Sequence, residues 1–243
     1  MKEICRGLKF PEGPIAMVDG SVILVEIERG TLSRVSPNGQ ISVIAECGGG
    51  PNGAAMGPDG RIYVCNNGGF EWIQQGPFRR AGDGLAPGYV GGSIQAVDIA
   101  SGIVDTLYTE CNGVPLKGPN DLIFDAHGGF YFTDLGKRRG RTMDRGAVYY
   151  AQPDGSAIVE IVHPIDAPNG IGLSADEKTL YVTEPVPQEC GPLISRAQAN
   201  SRRALTSSGR AASFTNLATT NASIRWPLIP KAMWSSPRSA PVA

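Results

Sequence analysis

One pattern recurs four times along this 243-residue chain and limits what it can fold into. Phe10-Pro11-Glu12-Gly13-Pro14, Gly50-Pro51-Asn52-Gly53, Gly118-Pro119-Asn120-Asp121-Leu122 and Ala167-Pro168-Asn169-Gly170-Ile171 each set a proline before one oxygen-bearing residue. An apolar segment and a turn follow each time, and a second apolar run ends about 14 residues later, at Glu26, Asn66, Asp134 and Thr183-Glu184. Self-similarity of this kind marks a repeat architecture, and it outranks any local signal.

The runs between anchors are short, β-branched and broken by Asp-Gly and Asn-Gly turns. Val22-Ile23-Leu24-Val25 follows Asp19-Gly20, and Ile41-Ser42-Val43-Ile44 follows Pro37-Asn38-Gly39. These are hairpin signals. Outer hairpins are expected at Ser93 to Val97 with Ile103 to Tyr108, and at Gly146 to Tyr150 with Ile158 to Val162. Four strands per unit, repeated with insertions, is the sequence form of an all-β, β-propeller fold. The first two strands of a blade form a hairpin, so the residue opening one and the residue closing the other lie at the same end. Glu12, Asn52, Asn120 and Asn169 should therefore gather on one face around the central channel, with their partners beside them.

Composition supports turn-rich β structure, with 32 Gly and 19 Pro. Charge divides the chain: residues 1–184 carry 15 Lys/Arg against 22 Asp/Glu, and residues 185–243 carry 7 against 1. Strand alternation and Asp-Gly turns stop together at Pro185. The expected organisation is a propeller region over 1–184 holding about four blades, then an irregular basic tail over 185–243, either aberrant coding or a natural low-complexity or disordered segment. Five cysteines with no CxxC pair indicate neither a zinc ribbon nor a full disulfide framework. The first residues hold no apolar h-region and no run reaches the roughly 18 residues of a membrane span, so the expectation is a cytoplasmic protein without a membrane partner.

Two stretches stand outside the repeat. Gly68 to Gly91 is a Gly-rich insertion with Trp72, Phe78, Arg79 and Arg80, readable equally as the cover of a site or as a solvated excursion. Lys137-Arg138-Arg139-Gly140-Arg141 reads as a surface loop in preference to a dedicated anion site, and is too short and isolated for nucleic-acid binding. Gly48 to Gly53 formally matches GxGxxG, but Pro51 leads into a β segment where a dinucleotide site would need a helix. With only His127 and His163, a Ser-His-Asp triad is not expected.

A carboxylate and carboxamide oxygens converging without Cys or His suit calcium, magnesium or manganese rather than zinc or copper. Asn52 also fits a plain turn residue. Glu12 does not, because turn chemistry does not ask for Glu. Glu184, Asp134 and Asp121 add acidic groups on the same face, each readable as a loop or turn residue.

These motifs, in order over residues 8–184, resemble the SMP-30/gluconolactonase/LRE-like family, six-bladed propellers that hold one divalent cation in the channel and hydrolyse sugar lactones. The resemblance implies Glu12, Asn120 and Asn169 as metal ligands, with Asn120, Asn52 and Asp121 facing a small-molecule sugar lactone. It implies one divalent cation, calcium first, with zinc, manganese and magnesium as alternatives. It also implies a further aspartate, ligand and general base, about 50 residues beyond the last asparagine, and this chain has no aspartate after Asp176. The catalytic base is thus unassigned, and the alternative is a catalytically inactive propeller fragment or ligand-binding scaffold.

Overall fold

A computed structural model describes residues 3–184 and the strand at 203–206. The rest of the expected tail lies outside the described residues. Every regular element among the described residues is a strand.

The first sheet runs β1 (Pro11–Ala16), β2 (Val22–Glu26), β3 (Thr31–Val35) and β4 (Ile41–Glu46), each strand antiparallel to the one before. The second begins with β5 (Pro51–Met56) and β6 (Ile62–Asn66). It is then interrupted by a hairpin of β7 (Phe70–Gln75) and β8 (Phe78–Leu85), and finishes with β9 (Ser93–Val97) and β10 (Val104–Tyr108). A short pair, β11 (Glu110–Cys111) and β12 (Val114–Pro115), leads to the third sheet. That sheet holds β13 (Pro119–Phe124) and β14 (Phe130–Asp134), a small insertion of β15 (Arg138–Arg139) and β16 (Thr142–Met143), then β17 (Gly146–Ala151) and β18 (Ile158–Ile165). A fourth sheet follows, of β19 (Ile171–Leu173), β20 (Thr179–Val182) and β21 (Arg203–Thr206), whose last strand falls within the range read as tail.

These sheets are consecutive propeller blades. Their first strands are neighbours in chain order, β1 against β5, β5 against β13 and β13 against β19, as strands lining a central channel must be. Side chains of the middle strands alternate between two neighbours, because successive residues of a strand point to opposite faces. On β6, Ile62 and Val64 join Ile23, Val25 and Leu32 of the first blade, while Tyr63 and Cys65 join Leu122, Phe130 and Phe132 of the third. Val148, Leu180 and Val182 fill the seam between the third and fourth blades. The result among the described residues is three separate apolar cores, one per seam. A strand buried on both sides reads as a continuous apolar run rather than an alternating one. Ile62-Tyr63-Val64-Cys65 has that form.

The predicted register holds in three blades. Pro11 pairs with Glu26, Pro51 with Asn66 and Pro119 with Asp134, and within the next few residues of each first strand the ladder shifts. A shift of this kind turns the local side chains out of strict alternation. It falls on Asn52 and on Asn120-Asp121, and in the first blade on Gly13-Pro14, just past Glu12, which still pairs with Val25.

Candidate active site at the channel mouth

Residues closing the second strands face inward, but toward the backbone. Glu26 is fully buried and accepts from the Lys9 N–H at 2.6 Å and the Ser33 hydroxyl at 2.6 Å, with Arg29 Nε 3.2 Å away. Asn66 Oδ1 accepts from the N–H groups of Gly50 and Gly68. Asp134 accepts from the N–H groups of Lys117 and Gly118, both at 2.7 Å, and of Gly136 at 2.9 Å. Glu184 accepts from the Asp166 N–H at 3.1 Å. Each is a clasp that fixes the segment entering the first strand. In this arrangement Asp134 and Glu184 hold the scaffold of the site.

The anchors themselves approach one another across the seams. Asn52 Nδ2 donates to Asn120 Oδ1 at 2.6 Å, joining β5 to β13. Each carboxamide carries one oxygen and one NH2 group, so this contact leaves one carboxamide oxygen of the pair unused whichever way the amides are turned. A Cβ on Gly53 would lie 2.4 Å from the Asn120 carbonyl oxygen, and one on Gly13 would lie 2.6 Å from Ala54 N. Glycine after the anchor is therefore what lets adjacent inner strands come this close.

The third unit places Asp121 where the others have glycine. Its Oδ2 accepts from the Ile171 N–H of β19 at 3.2 Å and its Oδ1 from the Leu122 N–H at 2.9 Å. Thr133 completes the link, accepting from the Asp121 N–H and donating to the Asn169 carbonyl at 2.6 Å. Asn169 is held through its backbone just before β19, and its side chain is exposed. Glu12, Asn52, Asn120 and Asp121 thus lie on adjoining inner strands. Asn169 follows them on the next seam, one residue from Gly170, whose Cβ position is 3.9 Å from Asp121 Oδ2.

Electrostatics sets the two carboxylates apart. Loss of water around Asp121 raises its pKa, opposed by the N–H groups of Ile171 and Leu122, and the charge of Glu12 raises it further. Glu12 reaches solvent, yet the protein crowding around it also raises its pKa, against the Gly13 N–H. Neither takes part in an ion pair among the described residues. No group of three or more His, Cys, Asp or Glu side chains placed to hold a metal ion occurs among the described residues. A cation here would have to take carboxylate and carboxamide oxygens together, and that donor set fits a hard divalent ion.

The sequence did not mark Lys137 or Asn67. Lys137 opens the basic run but is 3 % exposed, its ammonium donating to Asn67 Oδ1 at 3.2 Å and the Gly69 carbonyl at 2.7 Å. Arg138 and Arg139 of the same run are neutralised by Asp83 and Asp144.

A propeller with an acidic, carboxamide-lined channel mouth is the class that fold and site define. The chain belongs to the SMP-30/Gluconolactonase/LRE-like family, whose model matches residues 10–213. Among curated relatives, the lactonase drp35 of Staphylococcus saprophyticus is 34% identical over 182 residues, 74% of this chain and 49% of the relative. A Staphylococcus aureus lactonase drp35 is 33% identical over 168 residues, 68% of this chain and 45% of the relative. The chain spans about half the length of the curated relatives it matches. A gluconolactonase of Xanthomonas campestris has the same fold with a TM-score of 0.58, at 22% identity, over 82% of this chain and 59% of its own. Virginiamycin B lyase of Staphylococcus aureus follows at 0.56 and 17% identity, over 86% of this chain and 56% of its own. No helix among the described residues is long and apolar enough to cross a membrane.

Proposed function

We propose that this chain opens sugar lactones or related cyclic esters by hydrolysis at the channel mouth, with Asp121 as proton acceptor. The observation that carries this reading is the pair of carboxylates Glu12 and Asp121, raised in pKa, unpaired with any basic group among the described residues and set beside the Asn52–Asn120 contact. Two acidic groups crowded together without a counter-charge are costly unless a ligand repays them.

Glu12, the free carboxamide oxygen of the Asn52–Asn120 pair and the side chain of Asn169 would hold the cation, calcium first. Such an ion, when bound, supplies Lewis-acid polarisation of an ester carbonyl. The chain's own groups do the rest. A raised pKa makes Asp121 a stronger base, suited to take the proton of the attacking water and return it to the ring oxygen as the carbon–oxygen bond breaks. The remaining amide N–H groups of Asn52 and Asn120 can donate to substrate hydroxyls.

A second reading, a lactone-binding scaffold without turnover, is favoured by one observation: both Asp121 oxygens already accept backbone N–H groups. Lactone hydrolysis followed by pH-stat with calcium, manganese or zinc added, beside calorimetric binding, separates the two. Turnover that falls about 10²- to 10⁴-fold in Asp121→Asn supports hydrolysis with this base. Loss of metal dependence in Glu12→Gln supports the cation site. Binding without turnover selects the scaffold, and neither binding nor turnover rejects the lactone reading.

A further inference from the structure

In the first three blades the connections between second and third strands leave the site face. In the first blade this connection is a tight turn holding Glu28. In the second it is the β7–β8 hairpin, and in the third the β15–β16 insertion. The β7–β8 hairpin does not stand away from the face. Trp72 packs on Phe10, two residues before Glu12, with ring centroids 5.0 Å apart. Arg79 pairs with Glu28 of the first blade. On the other side the Asp83 carboxylate meets Arg138 at 3.3 Å, and the Asp83 backbone carbonyl accepts from the Gly140 N–H at 3.0 Å. The hairpin therefore lies across the site face from the first blade to the third, beside a Glu12 that stays open to solvent.

Its outer ion pairs are weak ones. Side chains of Arg79, Asp83 and Arg138 are 48%, 65% and 59% exposed, and ion pairs in water contribute roughly 0–1 kcal/mol. The root of the hairpin is different. Lys137, from the third blade, threads between its two ends: the ammonium donates to Asn67 and Gly69 before β7 and lies 4.3 Å from the Phe70 ring and 5.3 Å from the Tyr89 ring beyond β8. Gly68 and Gly91 flank the hairpin with φ of 76° and 134°, which the backbone can leave or enter at little steric cost.

Closure also carries a penalty. Asn67 Oδ1 is occupied by Lys137 and the Gly69 N–H, and Asn67 Nδ2 is buried with no partner in the protein. Water would satisfy that donor if the hairpin lifted. At its root the closed position is thus held by a buried ammonium against a stranded amide.

We propose that the β7–β8 hairpin is a lid over the Glu12 face and that Lys137 is its latch, joining the third blade to the lid rooted in the second. That the lid guards a lactone site rests on the function proposed above, whereas the latch itself does not. In its closed position the lid brings Trp72 and Phe10 to the mouth. Lifting it opens the face without unpacking any of the three seams.

Hydrogen exchange followed by mass spectrometry tests the latch directly, with no substrate present. Lys137→Met should speed exchange of the amides at 70–85 by at least about tenfold while strands 22–26, 62–66 and 130–134 keep their wild-type rates. Lys137→Arg, which retains charge and donors, should restore part of the protection. Unchanged exchange at 70–85 overturns the proposal. So does acceleration spread evenly over the blades, or a Lys137→Met chain that does not fold, because each makes Lys137 a core residue. Asp83→Ala serves as the exposed comparison and should loosen 70–85 less than Lys137→Met does; the reverse order also overturns it.

Discussion

Lys137 keeps its charge inside the protein at a cost. Burial pushes its pKa down to about 8, with the Asp134 charge opposing that shift and Arg139 adding to it. In the unfolded chain the amine returns to its ordinary value of roughly 10.4. Between those two values the unfolded state binds more protons than the folded one, so stability rises with pH across that window. A neutral amine still has two N–H donors for Asn67 and Gly69, so deprotonation removes the desolvation cost without removing the hydrogen bonds. Urea unfolding from pH 7 to pH 10 should therefore show the stability of the wild type, relative to Lys137→Met, growing by on the order of 2 kcal/mol. A difference that stays flat over that range would mean that Lys137 titrates normally in the fold.

At the scale of one strand pair, the clasp residue sets where the first strand begins. Asp134 is 3% exposed and satisfies three backbone N–H groups. Asp134→Ala leaves those donors without an acceptor, each costing about 1–3 kcal/mol if it stays dry. The expected loss is about 3–5 kcal/mol by denaturant titration, with Asp134→Asn intermediate because one acceptor oxygen survives. The spacing that pairs anchor with clasp was legible in the sequence, since 14 residues fix a hairpin whose two ends meet. The role of the clasp was not, because a carboxylate at a strand end looks the same whether it faces a ligand or a row of amides. Lys137 was hidden for a related reason: only the packing of Phe70 and Tyr89 from another blade makes it a buried residue. The insertion allowed two readings until Trp72 met Phe10, a contact between residues 62 positions apart that the sequence cannot announce.

Across the whole molecule, stability is distributed over seams rather than gathered in one core. Leu32 lies in the seam of the first two blades and Leu180 in that of the last two, and they share no cluster. Arrays in which each unit touches only its neighbours behave as sums of unit and interface terms. Leu32→Ala and Leu180→Ala should each cost about 2–5 kcal/mol, and the double variant should equal their sum within about 0.5 kcal/mol. Leu32→Ala with Val64→Ala, inside one seam, should depart from additivity. Coupling between the distant pair as strong as between the near pair would show that the blades unfold as one body. Independent seams also bear on function, because the contacts that join the anchors of different blades cross them. Asn52 meets Asn120 over the seam of Tyr63 and Phe132, while Asp121 reaches Ile171 over that of Val148 and Leu180. Leu180→Ala should therefore disturb the Asp121 side of the mouth and leave the Asn52–Asn120 side in place. Amide exchange at Ile171, set against that at Gly53, is the measurement that distinguishes them.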